Sequence, residues 1–447
     1  MRIIVAGIGE VGRHLAAMLA NSYHDIVAID PLASNLNALQ DKADLVTVQG
    51  SATSPTILQS AEVGKTDLFV AVASAEETNI ISAAMAKKLG AKRVVARIDN
   101  NEYLTPHNQD LFTSLGIDSL IYPEKLASQA VIGLLGEGGA MEYIHFAQGK
   151  LTLAAYRIET TMPYIGLTLA QIRKHYDNLN FLVVAIARDG ETIIPSGEDT
   201  LRPGDLIHVI STPRGVDEWR RITGSSAFSV NNLFVLGASR MGIRTCLDLE
   251  GKVKKIKLFE SDREKCERIA PLFRQTTLVH GDGRNTDFLL AEGLEEADAF
   301  AAMTGSSETN ILTCLAARRA GVRQIIAEVE NLDYITLAES IGIDSVVNKK
   351  LITASRIFRY TMGGDVSSMR YLTGSDAEVF EFVAKAGSPA TRGRIKDLHI
   401  PPLTIAGGII RGDSAFIATG ETIIQPGDRV IVFTTSFAAG KVARFFN

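Results

Sequence analysis

The sequence predicts two doubly wound α/β domains in tandem, each followed by a small α+β domain. Three observations support this fold class. Short apolar runs alternate with amphipathic segments, a stretch dense in strands and turns follows them, and both patterns recur in the same order later in the chain. By length alone, a chain of 447 residues predicts about three domains.

The first α/β domain is predicted from six apolar runs separated by helix-like segments. Val11–Asn21 and Glu76–Leu89 are amphipathic and predict helices. Runs rich in Val, Ile and Leu suit strands that are buried on both faces. Alternating strands and helices imply a parallel sheet with right-handed crossovers, which is a Rossmann-like architecture. The predicted strands are Arg2–Ala6, Ile26–Ile29, Leu45–Val48, Leu68–Ala73, Val94–Ile98 and Leu120–Tyr122.

The pattern changes near Met141, where a small α+β domain is predicted. One short helix, Leu169–His175, lies among strand-like pieces, and turn signals such as Pro203-Gly204-Asp205 are frequent. The predicted strands are Leu153–Ile158, Phe181–Arg188 and Ile207–Ile210. The segment 224–229 is rich in Ser and Gly and is the predicted linker.

The second half of the chain repeats the first. Gly237 lies 230 positions after Gly7 and follows a similar apolar run, and Glu308-Thr309-Asn310 lies 231 positions after Glu77-Thr78-Asn79. The small domain recurs as well, because Pro426-Gly427-Asp428 lies 223 positions after its counterpart. The sequence therefore predicts a tandem duplication, with Rossmann-like domains at 1–138 and 230–364 and small domains at 139–225 and 365–447.

A glycine-rich loop predicts a nucleotide site in the first domain. Between the first strand and the first helix the sequence is G-x-G-x-x-G, formed by Gly7, Ile8, Gly9, Glu10, Val11 and Gly12. In this motif the first glycine permits a tight turn, the second lets a pyrophosphate approach, and the third permits close helix packing. N–H groups at the helix N-terminus then bind phosphate. The alternative is a glycine turn retained for packing alone.

Polar residues at the carboxyl ends of the other strands complete the predicted site. Asp30 ends the second strand and is a candidate acceptor for ribose hydroxyls, and no arginine follows it to bind a 2′-phosphate. NAD(H) or an adenine nucleotide is therefore expected rather than NADP. Ser74 and Glu77 also fit a capping box, which is compatible with ligand contact. The remaining candidates are Ser51, Ala52, Ala73, Ser74 and Arg97.

The second copy of the site departs from the motif. Gly237 is retained, but Ser239 replaces the second glycine, and its side chain is expected to crowd a pyrophosphate. Glu260 takes the position of Asp30 as a ribose acceptor, and Arg240 is a candidate phosphate ligand. The sequence leaves open whether this site binds a nucleotide.

The glycine loop, the acidic end of the second strand, E-x-T-N after the fourth strand and the P-G-D turn together resemble an RCK (KTN) unit. Two such units in tandem resemble the TrkA family of potassium-uptake regulators over the whole chain. The resemblance implies a cytoplasmic homotetramer, peripheral on the inner face of the membrane, that binds a TrkH-type potassium-translocating subunit. It also implies that NAD(H), or alternatively ATP or ADP, binds at Gly7–Gly12, Asp30, Ser51, Ala73, Ser74 and Arg97 and controls potassium flux without catalysis.

Composition narrows the alternatives. A net charge of −5 argues against nucleic-acid binding, and no apolar run reaches the roughly 18–20 residues of a membrane span. Three cysteines without C-x-x-C spacing suggest neither a zinc site nor disulfides. An NAD-dependent oxidoreductase is the main alternative, but the eight histidines form no recognisable catalytic motif. Lys125–Leu135 and Leu351–Met362 are predicted crossover helices, packed on a neighbouring subunit or within their own domain.

Overall fold

The computed structural model divides the chain into two compact units, residues 1–127 with 348–363 and residues 128–347 with 364–447. The structure describes residues 1–21, 24–41, 43–136, 142–158, 160, 162, 164–174, 180–189, 191–223, 229–358, 360–361, 366–372, 375, 377–435 and 439–446. The predicted linker therefore lies outside the described residues, except for Ser229.

The first Rossmann-like domain has a six-stranded parallel sheet with the strand order β3-β2-β1-β4-β5-β6. The strands are β1 (Arg2–Ala6), β2 (Asp25–Asp30), β3 (Val46–Gln49), β4 (Leu68–Ala71), β5 (Arg93–Arg97) and β6 (Ser119–Ile121). The helices are α1 (Glu10–Asn21), α2 (Ala33–Gln40), α3 (Pro55–Ser60), α4 (Glu76–Lys88), α5 (Pro106–Ser114) and α6 (Pro123–Gly136).

The middle strands of this sheet are buried on both faces, as their continuous apolar sequences predict. Every residue of β4 is fully buried, and Ile4, Phe69 and Val94 from three neighbouring strands belong to one core cluster beneath α4. This strand order places the carboxyl ends of β1 and β4 side by side, at the point where the strand order reverses. Ligands of open α/β sheets bind at that point.

The first small domain has an antiparallel sheet with the strand order β10-β9-β11-β8-β7. Its elements are β7 (Glu142–Phe146), β8 (Leu151–Arg157), α7 (Leu169–Lys174), β9 (Phe181–Arg188), β10 (Glu191–Ile193), β11 (Leu206–Ser211) and α8 (Pro213–Thr223). The prediction of a single helix is wrong, because α8 follows the last strand directly. It packs Trp219 into the core, where this side chain is 1% exposed.

The second Rossmann-like domain repeats the first, with the strand order β14-β13-β12-β15-β16-β17. Its strands are β12 (Asn232–Leu236), β13 (Lys255–Glu260), β14 (Thr277–His280), β15 (Ala299–Ala302), β16 (Gln324–Glu328) and β17 (Ser345–Val347). Its helices are α9 (Arg240–Leu249), α10 (Arg263–Ile269), α11 (Thr286–Ala291), α12 (Ser307–Arg319) and α13 (Asp333–Ser340).

The crossover helices are not confined to their own domains, as one of the two predicted arrangements required. The helix after β17, α14 (Lys349–Phe358), belongs to the first unit, where it packs against α1 of the first Rossmann-like domain. Conversely, the second half of α6 belongs to the second unit, and the Leu134 carbonyl accepts a hydrogen bond of 3.0 Å from buried Gln324. Each crossover helix thus contacts the Rossmann-like domain of the other half of the same chain.

The second small domain has the same strand pattern as the first, in the order β18-β19-β22-β20-β21. Its elements are β18 (Val366–Tyr371), β19 (Ala377–Val383), β20 (Thr404–Arg411), β21 (Ser414–Ile417), β22 (Arg429–Thr435) and α15 (Ala439–Phe446). The two small domains share one core cluster, in which Ile210 and Leu153 of the first pack with Phe433 and Ile410 of the second.

A buried ion pair stabilises the first small domain. Asp205 is 1% exposed and accepts hydrogen bonds from Arg188 Nε and Nη2, at 2.8 and 2.7 Å, and from the Arg202 N–H. We expect Asp205→Asn to lower the free energy of unfolding by about 3–5 kcal/mol, because it leaves a guanidinium without its carboxylate. Urea denaturation followed by the fluorescence of Trp219, the single tryptophan, measures this change in the same domain.

The matched control is Asp413→Asn, which removes a carboxylate that is fully exposed in the second small domain. Its unfolding midpoint should equal that of the wild type. Equal midpoints for Asp205→Asn and Asp413→Asn would show that the buried pair contributes nothing to stability.

Candidate functional site

The glycine loop between β1 and α1 has a different physical requirement at each glycine. Gly7 has φ +94°, and a Cβ atom there would lie 2.4 Å from the Ala73 nitrogen. A Cβ atom at Gly12 would lie 1.8 Å from the carbonyl oxygen of Gly7. At Gly9, by contrast, a Cβ atom would have no described protein atom within 4 Å. Packing therefore requires Gly7 and Gly12, whereas no packing contact of the described residues requires a glycine at position 9.

The loop is fixed to the end of β2 by the carboxylate of Asp30. This side chain is 5% exposed, and its Oδ2 accepts a hydrogen bond of 2.6 Å from the Ile8 N–H. Its Oδ1 accepts from the Leu32 N–H at 2.9 Å and from Asn35 Nδ2 at 3.1 Å. An ionised carboxylate oxygen has two lone pairs. Since Oδ2 has one described donor, it retains an acceptor position for a ribose hydroxyl.

The other residues of the loop have separate roles. The side chain of Ile8 is fully buried in the core, so only its backbone faces the loop. Val11 is half-buried in the first turn of α1. Glu10, the first residue of α1, has a side chain that is 69% exposed and pairs with Lys350 of α14.

The predicted residues after β3 and β4 lie at the same edge of the sheet. Ser51 is exposed, and its Oγ lies 2.8 Å from Thr53 Oγ1, whereas the side chain of Ala52 belongs to the core. Ser74 is exposed, and its hydroxyl makes no hydrogen bond to the described residues. Ser51 and Ser74 are therefore accessible to a ligand, and Ala52 contributes only its backbone.

Asn79 organises the ends of β4 and β5, a role that the sequence did not reveal. It is 1% exposed, accepts from the Ala73 N–H at 2.7 Å and donates to the carbonyl oxygens of Ala73 and Arg97, at 2.9 and 3.0 Å. The Ala73 N–H is thus occupied, and its carbonyl oxygen already accepts one hydrogen bond. The E-x-T-N motif contained the signal for this residue, since an asparagine has donors and an acceptor for two neighbouring strand ends.

Arg97 is the cation at the end of β5. Its Nη2 lies 3.3 Å from Asp99 Oδ1, and its side chain is 21% exposed. Its Nε is buried and has no hydrogen-bond partner among the described residues. The guanidinium therefore retains donor capacity at the predicted phosphate edge of the sheet.

The predicted capping box of Ser74 and Glu77 is wrong. Helix α4 begins at Glu76 with Ala75 at its N-cap, and no side-chain hydrogen bond caps it. A capping box needs the serine at the N-cap itself, and Ser74 lies one residue too early. In the second copy the N-cap is Ser306, whose Oγ accepts from the Thr309 N–H at 3.1 Å.

In the second Rossmann-like domain, Ser239 occupies the helix N-terminus instead of leaving it open. Its Oγ accepts a hydrogen bond of 3.1 Å from the Gly242 N–H, and it forms the N-cap of α9. Gly237 retains the positive φ of its counterpart, at +97°. Arg240 begins α9 as Glu10 begins α1. The serine thus takes one of the N–H groups that bind phosphate in the motif.

Glu260 differs from Asp30 because its acceptor positions are filled. Oε1 accepts from the Ser261 and Asp262 N–H groups at 2.8 and 3.1 Å, and Oε2 accepts from the Ala238 N–H at 3.2 Å and pairs with Lys265 at 2.6 Å. Burial acts to raise the pKa of Glu260, but the hydrogen bonds from Lys265 and the Asp262 N–H outweigh it and lower the pKa. A ribose hydroxyl must displace one of these donors.

A cleft of about 480 Å³ nevertheless lies at this second site. Besides Ser239 and Glu260 it is lined by Lys265 and Arg284, which sequence reasoning missed because neither belongs to a motif. The end of the fifth strand is also changed, since Glu328 stands where the first copy has Arg97. The two sites thus have different charges, although they share one fold.

Other candidate chemistries have little support in the described part of the chain. The three cysteines are free and buried, and burial raises the pKa of the thiols of Cys246 and Cys314. Within the described ranges no three His, Cys, Asp or Glu side chains form a cluster suited to a metal ion. No helix among the described residues is both long and apolar enough to cross a lipid bilayer.

The chain matches two known domain models, each of them twice. The TrkA-N domain model matches residues 3–123 and 233–349, which is more than half of the chain. The chain belongs to the TrkA family. The TrkA-C domain model matches residues 153–224 and 379–447, and the double match of both models confirms the predicted tandem duplication.

Relatives of the TrkA family are similar along their full length. The Trk system potassium uptake protein TrkA homolog of Archaeoglobus fulgidus is 31% identical over 447 residues, which is 100% of each chain. The Trk system potassium uptake protein TrkA of Haemophilus influenzae is 29% identical and covers 97% of this chain and 95% of its own. The solved GsuK channel bound to NAD has a TM-score of 0.62 at 18% identity, over 100% of this chain and 78% of its own, which shows the fold.

Proposed function

We propose that this chain is a nucleotide-sensing regulatory subunit of a Trk-type potassium uptake system. The observation that carries the proposal is the first glycine loop. Gly9 faces open space, the N-terminus of α1 follows it directly, and Asp30 Oδ2 retains an acceptor position beside the Ile8 N–H. These are the groups that bind a diphosphate and a ribose in dinucleotide sites. Membership of the TrkA family supports the transport role.

The proposed ligand is NAD(H), with ATP or ADP as the alternative, because all of them contain an adenosine diphosphate group. The diphosphate would lie over Gly9 at the N-terminus of α1, and Asp30 would accept from the ribose. Ser51, Ser74 and Arg97 lie at the same edge of the sheet and would complete the first site. A carboxylate at Asp30 repels a 2′-phosphate, so NADPH should bind more weakly.

The proposed partner is a TrkH-type potassium-translocating membrane subunit. A homotetramer of the chain would bind it from the cytoplasm, peripherally on the inner face of the membrane. The names of the TrkA relatives support a role in potassium uptake. A nucleotide can change such an assembly only if it binds one conformational state more tightly than the other. The proposed role has no catalytic step.

The test begins with calorimetric titrations of NADH, NAD⁺, ADP, ATP and NADPH into the full chain. We expect binding of the first four and weaker binding of NADPH. The same ligands are then added to the chain reconstituted with a TrkH-type subunit in liposomes, where potassium flux is measured. Flux should change with a nucleotide that binds. The proposal would be contradicted if the folded chain bound none of these ligands. It would also be contradicted if the potassium flux did not change when a ligand was bound.

A further inference from the structure

Lys350, the second residue of α14, lies beside the glycine loop of the first site. Its Nζ is 2.5 Å from Glu10 Oε2, and its side chain is 13% exposed. The first turn of α14 is held by Asn348, whose Oδ1 accepts from the Leu351 N–H at 2.9 Å. The helix therefore holds a partly buried ammonium group next to Glu10, the residue that follows Gly9.

The first turn of α1 carries Glu10 and Arg13, and Lys350 of α14 lies beside Glu10. His14 lies one turn further along α1, and its pKa is lowered by burial and by the positive charge of Lys350. His14 is therefore mainly neutral at pH 7. Glu10 places a carboxylate at the start of α1, next to the proposed diphosphate position, and two neighbouring negative groups repel each other. A cation beside Glu10 is required if that diphosphate is to bind tightly.

The positions that correspond to Glu10 and Lys350 in the duplicated sequence carry the opposite charges. Arg240 corresponds to Glu10, at an offset of 230, and Glu124 corresponds to Lys350, at the offset of 226 that relates Gly116 to Gly342. At the first loop, Glu10 supplies the carboxylate and the crossover-helix position supplies the cation. At the second loop, Arg240 supplies the cation and the corresponding helix position carries a carboxylate, so each pair of positions contains one cation.

We propose that Lys350 contacts the phosphates of the nucleotide in the first site and makes the affinity depend on phosphate charge. The ammonium group would lie between Glu10 and the diphosphate, since it has three N–H donors that can be shared among neighbouring acceptors. This inference rests on the proposed nucleotide site. Because α14 follows β17 directly, Lys350 belongs to the second half of the sequence but contacts the ligand bound in the first Rossmann-like domain.

The test is a calorimetric titration of the full chain with ADP and with adenosine, which lacks phosphate. We expect Lys350→Met to weaken ADP binding by about ten- to hundredfold, the effect of one charge-assisted hydrogen bond, and to leave adenosine binding unchanged. Glu10→Gln should act in the opposite direction and tighten ADP binding by about two- to fivefold. Lys349→Met, which removes the same charge one position earlier, is the matched control and should change neither affinity.

Lys350→Arg retains the positive charge and should retain the ADP affinity, which separates loss of charge from loss of folding. Equal ADP affinities for the wild type and Lys350→Met would overturn the inference and leave the nucleotide site intact. Equal losses for ADP and adenosine would also overturn it, because they would indicate a structural role. If the wild type binds neither ligand, the proposed function fails together with this inference.

Discussion

Replacing Asp30 by Ala is expected to weaken binding of NAD(H) and ADP at the first site by about 100-fold. The substitution removes the proposed ribose acceptor, and hydrogen bonds to charged groups contribute about 1.5–3 kcal/mol each. It also releases the Ile8 N–H, which Asp30 holds at 2.6 Å, so the loop loses part of its preorganised shape. Calorimetric titration of ADP into the wild type and the variant measures the difference.

The variant should also be less stable, because the N–H groups of Ile8 and Leu32 lose their acceptor. A buried donor without a partner, here the Ile8 N–H, costs about 1–3 kcal/mol, so a thermal melt must accompany the titration. Glu260→Ala is the matched control in the second domain and should leave ADP affinity at the first site unchanged. A folded Asp30→Ala variant that binds ADP with wild-type affinity would show that Asp30 does not contribute to the nucleotide site.

Replacing Gly9 by Ser should abolish tight nucleotide binding and leave the fold unchanged. A Cβ atom at Gly9 meets no described atom within 4 Å, so the side chain fits without strain. The second domain shows what a serine does here, since Ser239 Oγ caps the Gly242 N–H at 3.1 Å. The hydroxyl would take an N–H group that a phosphate needs, and the Cβ atom would block close approach. We expect ADP affinity to fall by about 100-fold.

Gly12→Ala is the matched control for Gly9→Ser. It should destabilise the fold, whereas Gly9→Ser should weaken only nucleotide binding. Its Cβ atom would lie 1.8 Å from the Gly7 carbonyl oxygen, a backbone clash that a side-chain movement cannot relieve. We expect a loss of about 3 kcal/mol in the free energy of unfolding. Circular dichroism melts and ADP titrations on both variants separate the effects. Tight ADP binding by folded Gly9→Ser would show that no phosphate rests on this loop.

Much of the fold could be predicted because its signals are local or repeat along the chain. A strand buried on both faces needs a continuous apolar run, so Leu68–Ala71 was visible in the sequence before any contact was known. The tandem duplication followed from offsets between motifs. Helix α8 was missed because it is short and mostly polar, with only Val216, Trp219 and Ile222 in the core, and because it follows β11 after one residue.

The candidate site was predicted where a backbone requirement selects one residue type. Gly7 and Gly12 are required by packing and Gly9 is not, and these distinct roles match the motif. Side-chain partners were harder to predict. Asp30 and Glu260 look equivalent in sequence, yet the described donors leave an acceptor position on Asp30 and fill those of Glu260. Lys265 reaches Glu260 because α10 begins at Arg263, only three residues after β13 ends.

The sequence by itself determined the duplicated α/β architecture, the glycine loop and the acidic residue at the end of β2, because periodicity and backbone geometry act over a few residues. Only the tertiary structure decided that α14 packs on α1 and places Lys350 beside Glu10. The sequence of an amphipathic helix shows which face is apolar, but it does not show which apolar surface that face will cover. That choice depends on the shapes and charges of residues more than 300 positions apart, here Glu10 and Lys350, which are adjacent only in the folded chain.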